Sequence, residues 1–182
     1  IAEIVAIIMV LVIGWRNLPK GGMAAALNAG AIGSLLAVLN VASEVGYGNV
    51  IASLPGFKAI ATTLLNIKVG ATPLVSEAVT VNLLAGITGS ASGGLGIALE
   101  IMAKDWLAWA NSIGMSPEIL HRIASMAAGG MDTLPHNGGI ITLLGICGLT
   151  HRQSYPDIFA VTIMKTVVAF LMVAVYLVTG IA

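Results

Sequence analysis

Long uncharged stretches, separated by short polar segments, run along the chain of 182 residues. The first extends from Ile4 to Trp15 and the second from Gly21 to Ser43. A bilayer core of about 30 Å requires about 20 apolar residues in one helix. The second stretch is long enough to span, and the first resembles the end of a span that starts earlier. The pattern therefore predicts membrane helices.

A polar, glycine-rich segment from Asn40 to Asn49 closes the second stretch and contains no basic residue. A segment that ends in small polar residues suits the tip of a re-entrant hairpin. Val50 to Ile67 is then expected to be the return arm, although Lys58 and Lys68 also fit a position at the membrane interface. A plain extramembrane turn is the alternative interpretation of Asn40 to Asn49.

Glycine clusters interrupt two further apolar stretches. Ala78 to Leu99 contains Gly86 to Gly94, where four glycines and three hydroxyl residues stand together. Each glycine costs about 1 kcal/mol relative to alanine inside a helix, so we expect a local break there. A second helix starts at Pro117, with Ser116 as its cap, and meets another glycine-rich segment at Gly129 to Gly139.

The rest of the chain completes an all-α architecture. Ile140 to Thr150 finishes the second broken span, and His151 to Pro156 is expected to be a short polar connection. Phe159 to Val178 is the last predicted span, with Lys165 as its only charge. Lys104 to Trp106 is expected at the membrane interface. The pattern predicts a polytopic membrane protein with a re-entrant hairpin and discontinuous helices.

Composition agrees with a membrane location. Hydrophobic residues make up 58% of the chain and charged residues 9%, whereas a soluble domain has about 25% charged residues. Eight basic and eight acidic residues cancel, so the chain has no basic footprint for nucleic acid. The expected partner is therefore the lipid bilayer. Because the chain opens at Ile1 inside an apolar pattern, without Met or a basic leader, we expect it to be an interior piece of a longer protein.

Polar residues inside a membrane are costly, and their default interpretation is functional. At the predicted hairpin tip the candidates are Ser43, Glu44 and Gly46. In the first glycine-rich break they are Thr88, Ser90 and Ser92. An unwound backbone followed by a helix N-terminus suits an anionic substrate or sodium without any charged side chain. Capping or close helix packing is the alternative role for these hydroxyl residues.

The second break adds Asp132, His136 and Asn137 as candidates. Asp132 and His136 are four residues apart, a spacing that imitates a pair of metal ligands on a helix. A metal site is disfavoured because only two ligands are near and Pro135 breaks the helix. Proton coupling or hydrogen bonds to a substrate fit these residues better, since histidine titrates near neutral pH.

An intramembrane hydrolase is also disfavoured. The nucleophile elbow requires Gly-x-Ser-x-Gly, and Gly89 to Gly93 has Ala91 at the central position. The serines are therefore in the wrong register. We predict that the protein is not an enzyme and has no cofactor.

Four segments resemble the C-terminal half of transporters of the gluconate permease (GntP) family. They are Asn40 to Asn49, Ile87 to Gly94 and Leu120 to Gly139, followed by Leu149 to Phe159. The string Asp-Thr-Leu-Pro-His-Asn-Gly is the most specific part, and the likeness is greatest to the hydroxybutyrate-permease-like branch. The gluconate carriers themselves have His-Val-Asn-Asp at the last motif, which weighs against gluconate as the substrate.

This resemblance implies a multi-pass transporter of the bacterial inner membrane. It implies import of a small hydroxy-monocarboxylate, such as gluconate or 3-hydroxybutyrate, with a proton, and sodium remains an alternative coupling ion. It further implies that residues 1–182 form the C-terminal half of one transporter domain built from inverted repeats. A non-transporting membrane subunit and a channel are the alternative functions. The sequence leaves the oligomeric state open, a homo-oligomer included.

Overall fold

A computed structural model describes residues 2–14, 22–65, 67 and 70–180, and these ranges contain helices but no strand. In chain order the helices are α1 Ala2–Gly14, α2 Gly22–Ser53, α3 Pro55–Leu65, α4 Leu74–Thr88, α5 Ala91–Ser112, α6 Pro117–Ala128, α7 Gly138–Cys147 and α8 His151–Thr179. The predicted all-α architecture is confirmed over the described ranges. Trp15, Gly21 and Lys68 lie outside them.

The chain divides into two compact units, residues 1–39 and 40–182. The first contains α1, which has no buried residue, and the first part of α2. The second contains the rest of α2 and all the later helices. Every contact described below lies inside the second unit.

The structure corrects the hairpin tip expected at Asn40 to Asn49. Helix α2 continues through this segment to Ser53, and the chain bends at Leu54 before α3. Gly48 is buried, and a Cβ on it would lie 3.6 Å from Cγ2 of Thr88. Gly48 therefore lies at a contact between α2 and the end of α4, and it does not end α2.

Helix α4 is at the centre of the second unit. Eleven of its fifteen residues are buried, and α3, α5, α6 and α8 all pack against it. A helix buried on all sides carries apolar or small residues around its whole circumference. Leu74, Val81 and Leu84 supply much of the apolar contact.

Helices α4 and α5 form an antiparallel hairpin. Near the bend, a Cβ on Gly94 would lie 2.6 Å from the carbonyl carbon of Leu84 and would overlap the backbone nitrogen of Ala85. At the far end, Nε1 of Trp106 donates to Oγ of Ser76 at 3.3 Å. Trp106 is 2% exposed and packs in the core, and its place at the membrane interface stays a prediction.

The start of α6 is confirmed as predicted. Ser116 precedes Pro117, and its Oγ accepts a hydrogen bond from the backbone N–H of Glu118 at 3.3 Å. This bond satisfies one of the free N–H groups of the first helical turn.

The polar connection expected from His151 to Pro156 is instead helical. Helix α8 begins at His151 and runs through Pro156. Oε1 of Gln153 accepts from the backbone N–H of Thr150 at 2.9 Å. This side chain satisfies a donor at the helix start, and the polar residues after Thr150 form the first turns of α8.

Two helices within the described residues are long and apolar enough to cross a membrane, α2 and α8. The apolar helices α1, α4 and α7 are shorter. At 1.5 Å per residue, neither α4 nor α7 crosses a bilayer core of about 30 Å alone. This fits the expectation that α4 and α7 are segments of broken spans.

The close approach of α5 to α4 gives a stability prediction. We expect Gly94→Ala to destabilise the full-length protein by about 1 to 3 kcal/mol, because the added methyl group meets backbone atoms that cannot move aside. Gly96→Ala in the same helix is the matched control, since a Cβ there meets nothing within 4 Å. Alanine loses less backbone freedom on folding than glycine, so this replacement should stabilise the protein by up to about 1 kcal/mol. Thermal unfolding in detergent measures both effects, and equal melting temperatures for the two variants would contradict the prediction.

Candidate functional site

The α4–α5 bend is the first half of the candidate site. Helix α4 ends at Gly89, whose φ of 68° lies in the left-handed region that glycine adopts without a steric penalty. Ser90 caps α5, and its Oγ accepts from the backbone N–H of Gly93 at 3.2 Å. The predicted break between Gly86 and Gly94 is therefore confirmed. Its turn consists of two residues, Gly89 and Ser90.

The segment between α6 and α7 is the second half. Asn137 caps α7, and its Oδ1 accepts from the backbone N–H of Ile140 at 2.8 Å. Its Nδ2 donates to the backbone carbonyl of Gly89. One side chain thus satisfies a free donor at the start of α7 and an acceptor at the end of α4, and it holds the two breaks together.

Glu44 of α2 reaches the same place. Its Oε1 accepts a hydrogen bond from the backbone N–H of Gly138 at 3.1 Å, which sets a carboxylate at the N-terminus of α7. The N-terminal end of a helix carries partial positive charge and attracts anions. A Cβ on Gly138 would lie 3.3 Å from Oε2 of Glu44 and 3.4 Å from Cβ of Asn40. The glycine therefore allows α2 to approach closely.

A polar cavity of about 480 Å³ lies between α2 and the two breaks. Its polar lining consists of Asn40, Ser43, Glu44, Tyr47, Thr88 and His136. Small-molecule sites in proteins have volumes of about 300 to 1,000 Å³. The cavity therefore has room for a small organic molecule and offers it hydroxyl, amide, imidazole and carboxylate groups.

His136 and Glu44 both lie against Gly89. A Cβ on Gly89 would be 2.8 Å from Cδ2 of His136 and 3.3 Å from Oε1 of Glu44. The left-handed bend thus leaves the space that these two side chains use. Elsewhere in the cavity wall, Oγ1 of Thr88 donates to the carbonyl of Leu84 at 2.8 Å.

Of the nine residues predicted for the site, four line the polar cavity: Ser43, Glu44, Thr88 and His136. Asn137 adjoins it through Gly138 and holds the breaks together. Ser90 and Ser92 are at the start of α5, with their hydroxyl oxygens 3.4 Å apart. Gly46 is exposed on α2 and is not among the lining residues.

Asp132 occupies a different place from His136 and Asn137. Its Oδ1 lies 2.6 Å from Nζ of Lys165 on α8. The neighbouring Thr133 shares a hydrogen bond with Thr162 at 2.6 Å between their Oγ1 atoms. These contacts join the α6–α7 segment to α8. Lys165, the only charge in the last predicted span, is thus paired with Asp132.

Three polar residues of α4 escaped prediction. Glu77, Thr80 and Asn82 are buried, and each has side-chain atoms without a hydrogen-bond partner within the described residues. Nδ2 of Asn82 lies against Gly130, where a Cβ would overlap the amide. One sequence signal could have identified Glu77: it is a carboxylate directly before the uncharged stretch that begins at Ala78.

Within the described residues, no group of three or more His, Cys, Asp or Glu side chains is placed to hold a metal ion. The polar groups of the cavity instead suit hydrogen bonding to an organic ligand.

Comparison with known proteins gives one informative relative. The uncharacterized transporter YxjC of Bacillus subtilis (strain 168) is 48% identical to this chain over 180 residues. The match covers 99% of this chain and 38% of YxjC, so the chain spans well under half the length of that relative. No protein-family model matches the sequence, and no solved structure matches it.

The two bonds of Asn137 can be separated experimentally. Serine caps helices about as well as asparagine, so we expect Asn137→Ser to lose only the bond to Gly89, at a cost of about 0.5 to 1.5 kcal/mol. Asn137→Ala loses the cap as well and should cost about 1 kcal/mol more. Chemical or thermal unfolding of the full-length protein measures the difference. Equal stability of the two variants would show that the side chain does not cap α7.

Proposed function

We propose that this chain is part of a secondary transporter of the gluconate permease type, which carries a small hydroxy-monocarboxylate together with a proton. The name of the Bacillus subtilis relative supports a transport role. The motif resemblance supports the family and substrate class, and it favours the C-terminal half of an inverted-repeat domain in the bacterial inner membrane. The helices α2 and α8 are long and apolar enough to serve as spans.

The observation that carries this proposal is Glu44 at the N-terminus of α7, inside a polar cavity between two helix breaks. Broken helices at the bilayer midplane place helix termini and free backbone groups around the substrates of secondary transporters. Here the N–H of Gly138 is bound by Glu44, an anionic group that belongs to the protein itself. A substrate carboxylate in the cavity would be attracted to the same partial positive charge at the N-terminus of α7.

Competition between Glu44 and the substrate offers a physical basis for proton coupling. Two carboxylates in one small cavity repel each other, so one of them is neutralised when both are present. A proton on Glu44 would remove this repulsion and allow the substrate carboxylate to approach the N-terminus of α7. Anion and proton would then bind together, as symport requires.

The other predicted residues take supporting roles in this proposal. Ser43, Thr88 and His136, which line the cavity, would hydrogen-bond the substrate hydroxyl and carboxylate. Asn137 would hold the breaks at the correct spacing. The remaining residues act outside the cavity: Ser90 and Ser92 at the start of α5, Asp132 through its ion pair with Lys165, and Gly46 on α2.

Uptake into proteoliposomes tests the transport activity. We expect the full-length protein to accumulate radiolabelled 3-hydroxybutyrate or gluconate when the vesicle interior is alkaline, and to stop when a protonophore collapses the pH gradient. Vesicles without protein give the background. If neither acid accumulates and neither binds to the purified protein, the proposed substrate class is incorrect.

Equilibrium binding tests the role of Glu44. We expect the affinity of the wild type for the acid to fall as pH rises, by about tenfold per pH unit once Glu44 is ionised. Glu44→Gln carries no charge at any pH, so its affinity should stay nearly constant over the same range. Glu100→Gln, which changes an exposed carboxylate of α5, is the matched control and should keep the wild-type profile. A wild-type pH profile in Glu44→Gln would remove Glu44 from the coupling mechanism.

A further inference from the structure

A second cavity, separate from the polar one, lies between α5 and α6 and has a volume of about 280 Å³. We call it the Glu77 groove. One side carries Leu95, Leu99 and Ala103 of α5, and the other carries His121 and Ser125 of α6. Residues four apart share one face of a helix, so each helix contributes one continuous wall. Glu77 of the central helix α4 lines the same groove.

Glu77 is the unusual member of this groove. The residue is 2% exposed, and its Oε2 has no hydrogen-bond partner among the described residues. Trp106, which also lines the groove, uses its N–H for Ser76 and leaves Glu77 unbound. An ionised carboxylate without a hydrogen-bond partner is strongly disfavoured in apolar surroundings, so a cation bound to Glu77 would remove this cost.

Among the side chains that the structure describes, the charged groups of the surrounding helices do not supply such a cation. On α5, the ionisable side chains of Glu100, Lys104 and Asp105 are exposed and do not line the groove. On α6, Glu118 and Arg122 form an exposed ion pair at 3.9 Å, and on α8 Lys165 is bound to Asp132 at 2.6 Å. Lys58 of α3 lies outside the side chains that the structure describes. His121 is the titratable group that shares the groove with Glu77.

We infer that Glu77 is a proton-binding carboxylate and that its proton moves with the transported anion. A hard metal cation takes six or more oxygen ligands, or keeps much of its water, and the groove offers the carboxylate and the Ser125 hydroxyl. A proton needs one oxygen and leaves a neutral acid that suits the apolar walls. His121 is exposed at the groove, and an imidazole can accept a proton on one nitrogen and release it from the other.

Helix α4 connects the two sites. Thr88 lines the polar cavity eleven residues after Glu77 on the same helix, a separation of roughly 16 Å at 1.5 Å per residue. A change in charge at Glu77 acts on the packing of α4 against α5 and α6, and α4 ends in the bend that forms the cavity wall. This inference rests on the proposed function. It makes Glu77 a second proton-binding group, in addition to Glu44.

Carbodiimide labelling of the wild-type, full-length protein in membranes tests proton binding without reference to transport. Dicyclohexylcarbodiimide is apolar and reacts with carboxyl groups in their protonated form. We expect mass spectrometry to find Glu77 modified faster than exposed Glu100, with a rate that falls as pH is raised. Glu77→Gln should lack the adduct. Absence of an adduct at Glu77, or a rate no greater than that of Glu100, would overturn the inference.

Accumulation at a fixed pH gradient tests the coupling. With the membrane potential clamped at zero, each coupled proton raises the attainable accumulation roughly tenfold per unit of pH gradient. We expect Glu77→Gln to bind 3-hydroxybutyrate or gluconate with wild-type affinity and pH profile, and to accumulate it about tenfold less across one pH unit. Glu100→Gln should match the wild type. Wild-type accumulation by Glu77→Gln would overturn the inference alone, whereas no binding or accumulation by the wild type would overturn the proposed function.

Discussion

The backbone groups freed where a helix breaks must find partners inside the protein, and this constraint organises the second unit. Lipid offers no hydrogen bonds, so each unpaired group costs several kcal/mol there. The chain meets the requirement by bringing its two breaks together. Asn137 bonds to the end of α4 and to the start of α7, and Glu44 takes the N–H of Gly138. The cavity exists because the groups that complete the breaks come from three separate parts of the chain.

A single helix, α4, supports both sites of the molecule. Its C-terminal end forms the wall of the polar cavity at Thr88, and Glu77 near its start lines the groove between α5 and α6. Most membrane helices place polar groups toward one side, but α4 is surrounded and buries polar residues along its length. The proposed function gives a reason for this cost, because buried polar residues in membrane proteins are typical of sites that bind ions or substrates.

Local sequence signals identified the breaks and the caps well, whereas long-range packing lay beyond them. Glycine clusters predicted the bend at Gly89, and Ser116 before Pro117 predicted the start of α6, because both features depend on a few neighbouring residues. Gly48 belongs to a similar cluster, yet it serves close packing against Thr88. The burial of Trp106 depends on Ser76, thirty residues away. Contacts of this kind leave no trace in periodicity, which is why the hairpin tip was misplaced and the burial of Trp106 was not predicted.

The α4–α5 hairpin is fastened at both ends, by the backbone contact at Gly94 and by the bond from Trp106 to Ser76. Neither contact tolerates sliding, since the first is a meeting of main chains and the second depends on orientation. The two contacts therefore fix the register of α4 against α5 at both ends of the hairpin. If the polar cavity opens to alternate sides of a membrane, as the proposed function requires, sliding of α4 along α5 would break both contacts. Separation of the hairpin from α7 would instead break the bond from Asn137 to Gly89, which joins the two.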